Sequence, residues 1–174
     1  FNTLRTVVSA VVLTRIDCGN SLYLWISSSL LDRLQDNLDD AAHLIFRLPR
    51  SAHASSLIQN LHCLPIWQKV QFKVLCMVHK ALNQAALAFI IKRFPLYIPG
   101  HPLRSANTML LSTSQLKKST LRSRSLSVCA PKLWNALPLS IRSKRRYLRL
   151  RNILKAHLFT QAFLWAVLLS ALPG

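Results

Sequence analysis

The chain contains no glutamate, and its five acidic residues are all aspartates within the first forty positions: Asp17, Asp32, Asp36, Asp39 and Asp40. Residues 1–40 hold three cations against five acids, net −2, whereas residues 41–174 hold twenty Lys and Arg and no acid, net +20. Paired carboxylates are what glycosidases, aspartic proteases and two-metal nucleases or polymerases use to move protons or hold divalent ions. No such pair can form after residue 40, and an independent enzyme is therefore not expected. Only three glycines occur, and none builds a Gly-rich phosphate loop. Helices beyond residue 40 also lack Glu–Lys pairing, so their cations repel one another unless a partner of opposite sign is present. A polyanion fits that description.

The four cysteines, Cys18, Cys63, Cys76 and Cys129, form no C-x-x-C pair, which speaks against a zinc ribbon or a dense disulfide framework and favours a reducing compartment, nuclear or cytoplasmic. Cys76 and His79 have metal-ligand spacing with Cys63 as a conceivable third ligand, but structural zinc wants four, and buried thiols are the expectation. No metal or other cofactor is expected. The chain opens at Phe1 without Met and reads as a piece of a longer product. Val7–Leu13 is too short for a secretion signal and soon meets Arg15. Ala162–Leu169 is continuously apolar, yet falls short of the ~20 residues that cross a bilayer, so no transmembrane span is expected.

An apolar content of 51% suits a packed core. Leu4, Val7, Val8, Val11 and Val12 repeat at helical spacing up to a turn at Asp17–Asn20. Ser29 with Asp32 reads as a capping box, after which Leu31, Leu34, Leu38, Ala41 and Ile45 share one face. Asp32, Asp36, Asp39 and Asp40 fall opposite them within roughly 100°, a solvated stripe rather than a metal site. A short helix is expected over 55–61, and a long one follows Leu64-Pro65 with Ile66, Val70, Val74, Met77 and Ala81 inward. Lys69, Lys73 and Lys80 lie within roughly 40° of one another beside that face, either a solvated edge or a phosphate track.

The expected fold is mainly α, a small helical domain with a short β-hairpin in its second half. Residues 1–94 form the helical segment and 95–107 a Pro-rich connector. Residues 108–141 hold the hairpin, which pairs 109–113 with 124–129 around Lys117, Lys118 and Arg122, and then a helical turn anchored by Trp134. Residues 142–174 form a basic amphipathic helix with an apolar tail. Arg142, Lys144, Arg145, Arg146, Arg149, Arg151 and Lys155 place seven cations in fourteen residues, threaded by Tyr147, Leu150, Leu154, Leu158 and Trp165. Nucleic acid, an anionic membrane surface and a calmodulin-like groove all suit such a helix.

Specific strings narrow the choice. Thr14-Arg15-Ile16-Asp17-Cys18-Gly19-Asn20-Ser21-Leu22 resembles the S-R-L-D-Y-C-N-S-L segment that follows the polymerase domain in jockey-like non-LTR (LINE-type) retrotransposon reverse transcriptases. In the same order, Leu34-Gln35 with Ala41-Ala42 and Leu44-Ile45 is similar to the L-Q-x-x-Q-N-A-A-A-R-L-I helix of that family, with Asp39-Asp40 standing where the family has N-A. Leu61-His62-Cys63-Leu64-Pro65-Ile66 resembles its L-H-W-L-P-V, Phe72-Lys73 its F-K, and Lys80-Ala81-Leu82-Asn83 its K-A-L-N. Tyr97-Ile98-Pro99 and Leu103-Arg104-Ser105 are similar to Y-x-P and L-R-S. Ser127–Pro138 resembles F-S-V-A-A-P-K-L-W-N-S-L-P, and Lys155-Ala156-His157-Leu158-Phe159 resembles K-T-H-L-F.

The resemblance spans about residues 10–163. It implies a noncatalytic C-terminal fragment of an RNA-directed DNA polymerase, lying beyond the thumb, whose polymerase and endonuclease centres are elsewhere. No catalytic residue is carried over, because no family catalytic motif has a counterpart here. The implied partners are RNA or DNA, held electrostatically and without sequence preference, and an upstream polymerase domain where one is present. Candidate phosphate contacts are Lys69, Lys73, Lys80, Lys117, Lys118, Arg122, Arg124, Arg142, Lys144, Arg145, Arg146, Arg149, Arg151 and Lys155. Departures from the family strings, among them Cys63 for Trp and Leu126 for Phe, are also those of a degenerate copy whose basicity is inherited.

Overall fold

A computed structural model describes the chain apart from residues 1, 20–22, 25, 99–108, 114–125 and 171–174, and apart from the side chains of 2, 9 and 165–170. The architecture is mainly α. In order come α1 (Asn2–Val8), a π-helical stretch (Ser9–Leu13), α2 (Thr14–Asp17), α3 (Ser28–Phe46), α4 (Ala54–Asn60), α5 (Ile66–Leu82), α6 (Ala88–Ile91), α7 (Leu126–Asn135), α8 (Leu139–Arg142) and α9 (Tyr147–Ser170). Two compact units result, one from Phe1–Val70 with Lys155–Gly174 and the other from Gln71–Leu154. The divide falls inside α5 and inside α9.

In the first unit α3 buries Leu38, Ala41, Ala42 and Ile45, with Leu31 and Leu34 partly covered, as its apolar spacing requires. Leu38 and Ala42 pack with Ile16, Leu57, Ile58, Ile66 and Phe163, while Val8, Ala41 and Ile45 form a second cluster. The expected capping box is not formed. Helix α3 begins one residue before Ser29, at Ser28, and the Ser27 and Ser29 hydroxyls bond each other at 3.0 Å instead of a backbone N–H.

Three helices end without glycine. Arg47, His62 and Gln84 follow α3, α4 and α5 at φ 55°, 52° and 55°. The next residue's N–H returns in each case to a carbonyl five positions back, Leu48 to His43 at 3.1 Å, Cys63 to Ile58 at 3.1 Å and Ala85 to Lys80 at 2.8 Å. This is the Schellman closure, made here at left-handed positions that cost a non-glycine residue about 1–2 kcal/mol.

Helix α5 starts on a bond from a distant residue. The Ile66 N–H, one of the donors a helix leaves unpaired at its first turn, is accepted by Gln35 Oε1 at 2.9 Å. Gln35 Nε2 donates to Asp39 at 2.7 Å. Burial pushes the Asp39 carboxyl above its ordinary range, and the Gln35 bond pulls the other way. Because Ile66 is fully buried, Gln35→Ala strands its N–H away from water. We expect about 1–3 kcal/mol less unfolding free energy in a urea titration; an unchanged midpoint would contradict the bond's role.

In the second unit α5 buries more of its circumference than expected. Val74, Leu75, Cys76, Val78, His79 and Ala81 are all covered, and Met77, expected inward, is only half-buried. The expected hairpin is not formed among the described residues. Leu126–Cys129 opens α7, while 109–113 meets the chain on the other side: Leu96 and Leu111 make an isolated antiparallel bridge, with Tyr97 N–H on Leu110 O at 2.8 Å and Ser112 N–H on Pro95 O at 2.9 Å.

The reason lies at the end of α7. Asn135 Oδ1 accepts the Leu111 N–H and Asn135 Nδ2 donates to the Leu111 carbonyl, both at 2.9 Å, so one side chain takes the place of a neighbouring strand. Trp134, fully buried, donates Nε1–H to Met109 O at 2.8 Å. Residues 142–155 also differ from the single basic helix expected, since Arg142 closes α8, 143–146 form a connecting turn, and only from Tyr147 does α9 run.

Candidate nucleic-acid interface

The cations of α5 divide into two environments. Lys69, in the first unit, is largely covered and reaches Asp17 Oδ1 at 3.0 Å, so its charge is already matched. Lys73 and Lys80, in the second unit, are exposed. Lys80 Nζ lies 4.7 Å from the centroid of the Tyr147 ring, within cation–π range. The same Tyr147 ring lies 6.1 Å centroid to centroid from His79 of α5. Burial pushes the Cys76 thiol up, whereas Tyr147, Arg151, Lys80 and Lys73 pull it down. Burial and the neighbouring Cys76 also raise the Tyr147 phenol. Lys73 and Lys80 share a face of α5 by helical spacing, and the Lys80–Tyr147 contact brings α9, with Arg151 one turn after Tyr147, to that helix, which spacing along the chain does not predict.

The basic run divides as well. Arg142 is 8% exposed, its Nε donates to Leu137 O at 3.0 Å, and burial lowers its pKa from the usual guanidinium value. Its position is that of a packing residue of the α7–α8 corner. Lys144 is half-buried, and Arg145, Arg146, Arg149 and Arg151 are exposed. His79, buried beside Trp134 and Tyr147, reaches Lys144 O with Nε2 at 2.7 Å. A carbonyl only accepts, so Nε2 carries the ring proton there, and Nδ1 is buried without a partner. That bond fixes the turn bearing Lys144, Arg145 and Arg146. Lys155 is exposed and belongs to the first unit. Lys117, Lys118, Arg122 and Arg124 lie outside the described residues.

What this arrangement can do is neutralise phosphates. No carboxylate side chain exists between residues 71 and 154 to compete for Lys73, Lys80, Arg145, Arg146, Arg149 or Arg151. No family model, curated protein or solved structure matches the chain.

Two further observations bear on partners. Of the expected apolar stripe of α9, Leu150, Leu154 and Leu158 are buried in the protein and Tyr147 is half-buried, while the side chain of Trp165 lies outside the described residues. Among the described residues no helix is long and apolar enough to cross a membrane. In the first unit Asp32, Asp36 and Asp40 are exposed along α3, and Asp40 pairs with Arg50 at 2.7 Å. So exposed a pair contributes at most about 1 kcal/mol. Tyr147, Cys76 and His79 are absent from the expected set because their roles depend on α5 and α9 meeting, a contact no local pattern encodes.

Proposed function

We propose that this chain is the noncatalytic, thumb-distal C-terminal segment of a LINE-type retrotransposon reverse transcriptase, and that it holds RNA or DNA by the phosphate backbone without reading sequence. The observation that carries the reading is that the Lys80–Tyr147 contact joins the exposed cations Lys73 and Lys80 of α5 to the helix bearing Arg151, in a unit with no carboxylate side chain. Like charges brought together without counter-ions of their own destabilise a fold, and a polyanion relieves that cost. The ordered strings from Thr14 to Phe159 support the ancestry, and with it a nuclear or cytoplasmic site and an upstream polymerase domain as neighbour.

Binding to the folded state alone raises stability by about 2.7 kcal/mol at a ligand concentration one hundred times Kd. For a chain of this length that is a rise in Tm of roughly 5–10 °C, expected when homopolymer RNA is added before a thermal melt followed by circular dichroism. A melt indifferent to RNA would favour the alternative of a degenerate remnant whose basicity is inherited and unused.

A further inference from the structure

Large apolar side chains are exposed repeatedly over one short stretch of the second unit: Leu87, Phe89 at 65%, Leu96, Tyr97 at 46% and Ile98 at 86%. Single exposed apolar residues need no explanation. Here, however, the two aromatics flank the exposed cations Lys92 and Arg93, in the order Phe89, Lys92, Arg93, Tyr97. The backbone beneath them is held. Phe94, between the cations and Tyr97, is buried, and the Tyr97 N–H is bonded to Leu110 O at 2.8 Å. From α6, bonds from Lys92 N–H to Ala88 O at 3.1 Å and from Arg93 N–H to Ile90 O at 3.0 Å close the turn that carries both cations.

We propose that Phe89 and Tyr97, with Lys92 and Arg93, form a stacking platform for the unpaired bases of single-stranded nucleic acid. The proposal rests on the phosphate-binding reading above and adds a second site with a distinct specificity. Aromatic faces are sequence-tolerant partners for unpaired bases, and intervening cations track the backbone. A duplex buries its base faces in its own stack and gains nothing from the rings. Residues 89 and 97 are separated by at most about 26 Å of chain, a span that a single strand of a few nucleotides covers. A lipid surface is the poorer fit, because α6 is a single turn and offers no amphipathic helix to lie in the interface.

The test is fluorescence anisotropy of labelled dT12 and of a 12-base-pair duplex, titrated with the full chain and with Phe89→Ala, Tyr97→Ala and Tyr97→Phe. Each alanine variant is expected to weaken binding to dT12 by roughly fivefold to a hundredfold while changing duplex binding less than about twofold, and Tyr97→Phe is expected to retain single-strand affinity. Equal losses on both nucleic acids, or none on dT12, would overturn the platform and leave the phosphate-binding reading standing. Failure of the unsubstituted chain to bind either nucleic acid would overturn both. If the alanine variants instead lose binding to phosphatidylserine vesicles with dT12 affinity unchanged, the segment is a lipid contact and the platform is refuted.

Discussion

Trp134→Ala is expected to lower the unfolding free energy by about 3–5 kcal/mol, the largest loss from any single side chain discussed above. The indole is fully buried, lies 6.5 Å centroid to centroid from His79, and donates Nε1–H to Met109 O at 2.8 Å. Alanine opens a cavity in the second unit and strands a carbonyl. The neighbouring Asn135–Leu111 bonds depend on the same alignment of α7 with 109–111, so the bridge to Leu96 is loosened too. Trp134→Phe separates the contributions, since most of the ring remains while the Met109 carbonyl loses its donor, at about 1–3 kcal/mol. Urea titrations followed by far-ultraviolet circular dichroism check both values. A loss below about 1 kcal/mol for the alanine variant would mean that α7 is not the clamp of its unit. Set against a typical total of about 5–15 kcal/mol, the expected loss leaves the unit marginal.

The long helices were legible because their apolar period is unbroken, as with Leu31, Leu34, Leu38, Ala41 and Ile45 of α3. Their ends were harder to read. The left-handed closures fall on Arg47, His62 and Gln84, so the glycine that ordinarily marks a helix stop is missing. The hairpin misled because 126–129 alternates apolar and polar residues like a strand, whereas the partner of 109–111 is the side chain of Asn135 at the far end of α7.

The cationic set was legible as composition and illegible as geometry. Lys69 meets Asp17, fifty-two residues earlier, and Arg142 turns inward onto Leu137 O. Lys73 and Lys80 share a face of α5 by helical spacing, but Arg151 joins them only because α9 meets α5 where Lys80 lies over the Tyr147 ring. Apart from the Lys73–Lys80 pair, each outcome is decided by a residue far off in the chain or by a corner of the backbone, and helical periodicity carries neither.

Replacing those three cations together, by Lys73→Gln, Lys80→Gln and Arg151→Gln, is expected to remove about half of the electrostatic binding. They lie at the surface of helices that glutamine tolerates, so far-ultraviolet circular dichroism should stay unchanged. If about four to six phosphates are contacted, log affinity for RNA falls against log salt with a slope of roughly −3 to −5, a loss of about 60- to 1,000-fold between about 50 and 200 mM. Each lost contact makes the slope shallower by about 0.7–0.9, so the triple variant should lie roughly 2–3 units nearer zero. A filter-binding titration of the full chain and the triple variant over that salt range tests the central claim most directly. The account predicts a steep line for the first and a markedly flatter one for the second. A slope near zero for the unsubstituted chain, or two parallel lines, would contradict it.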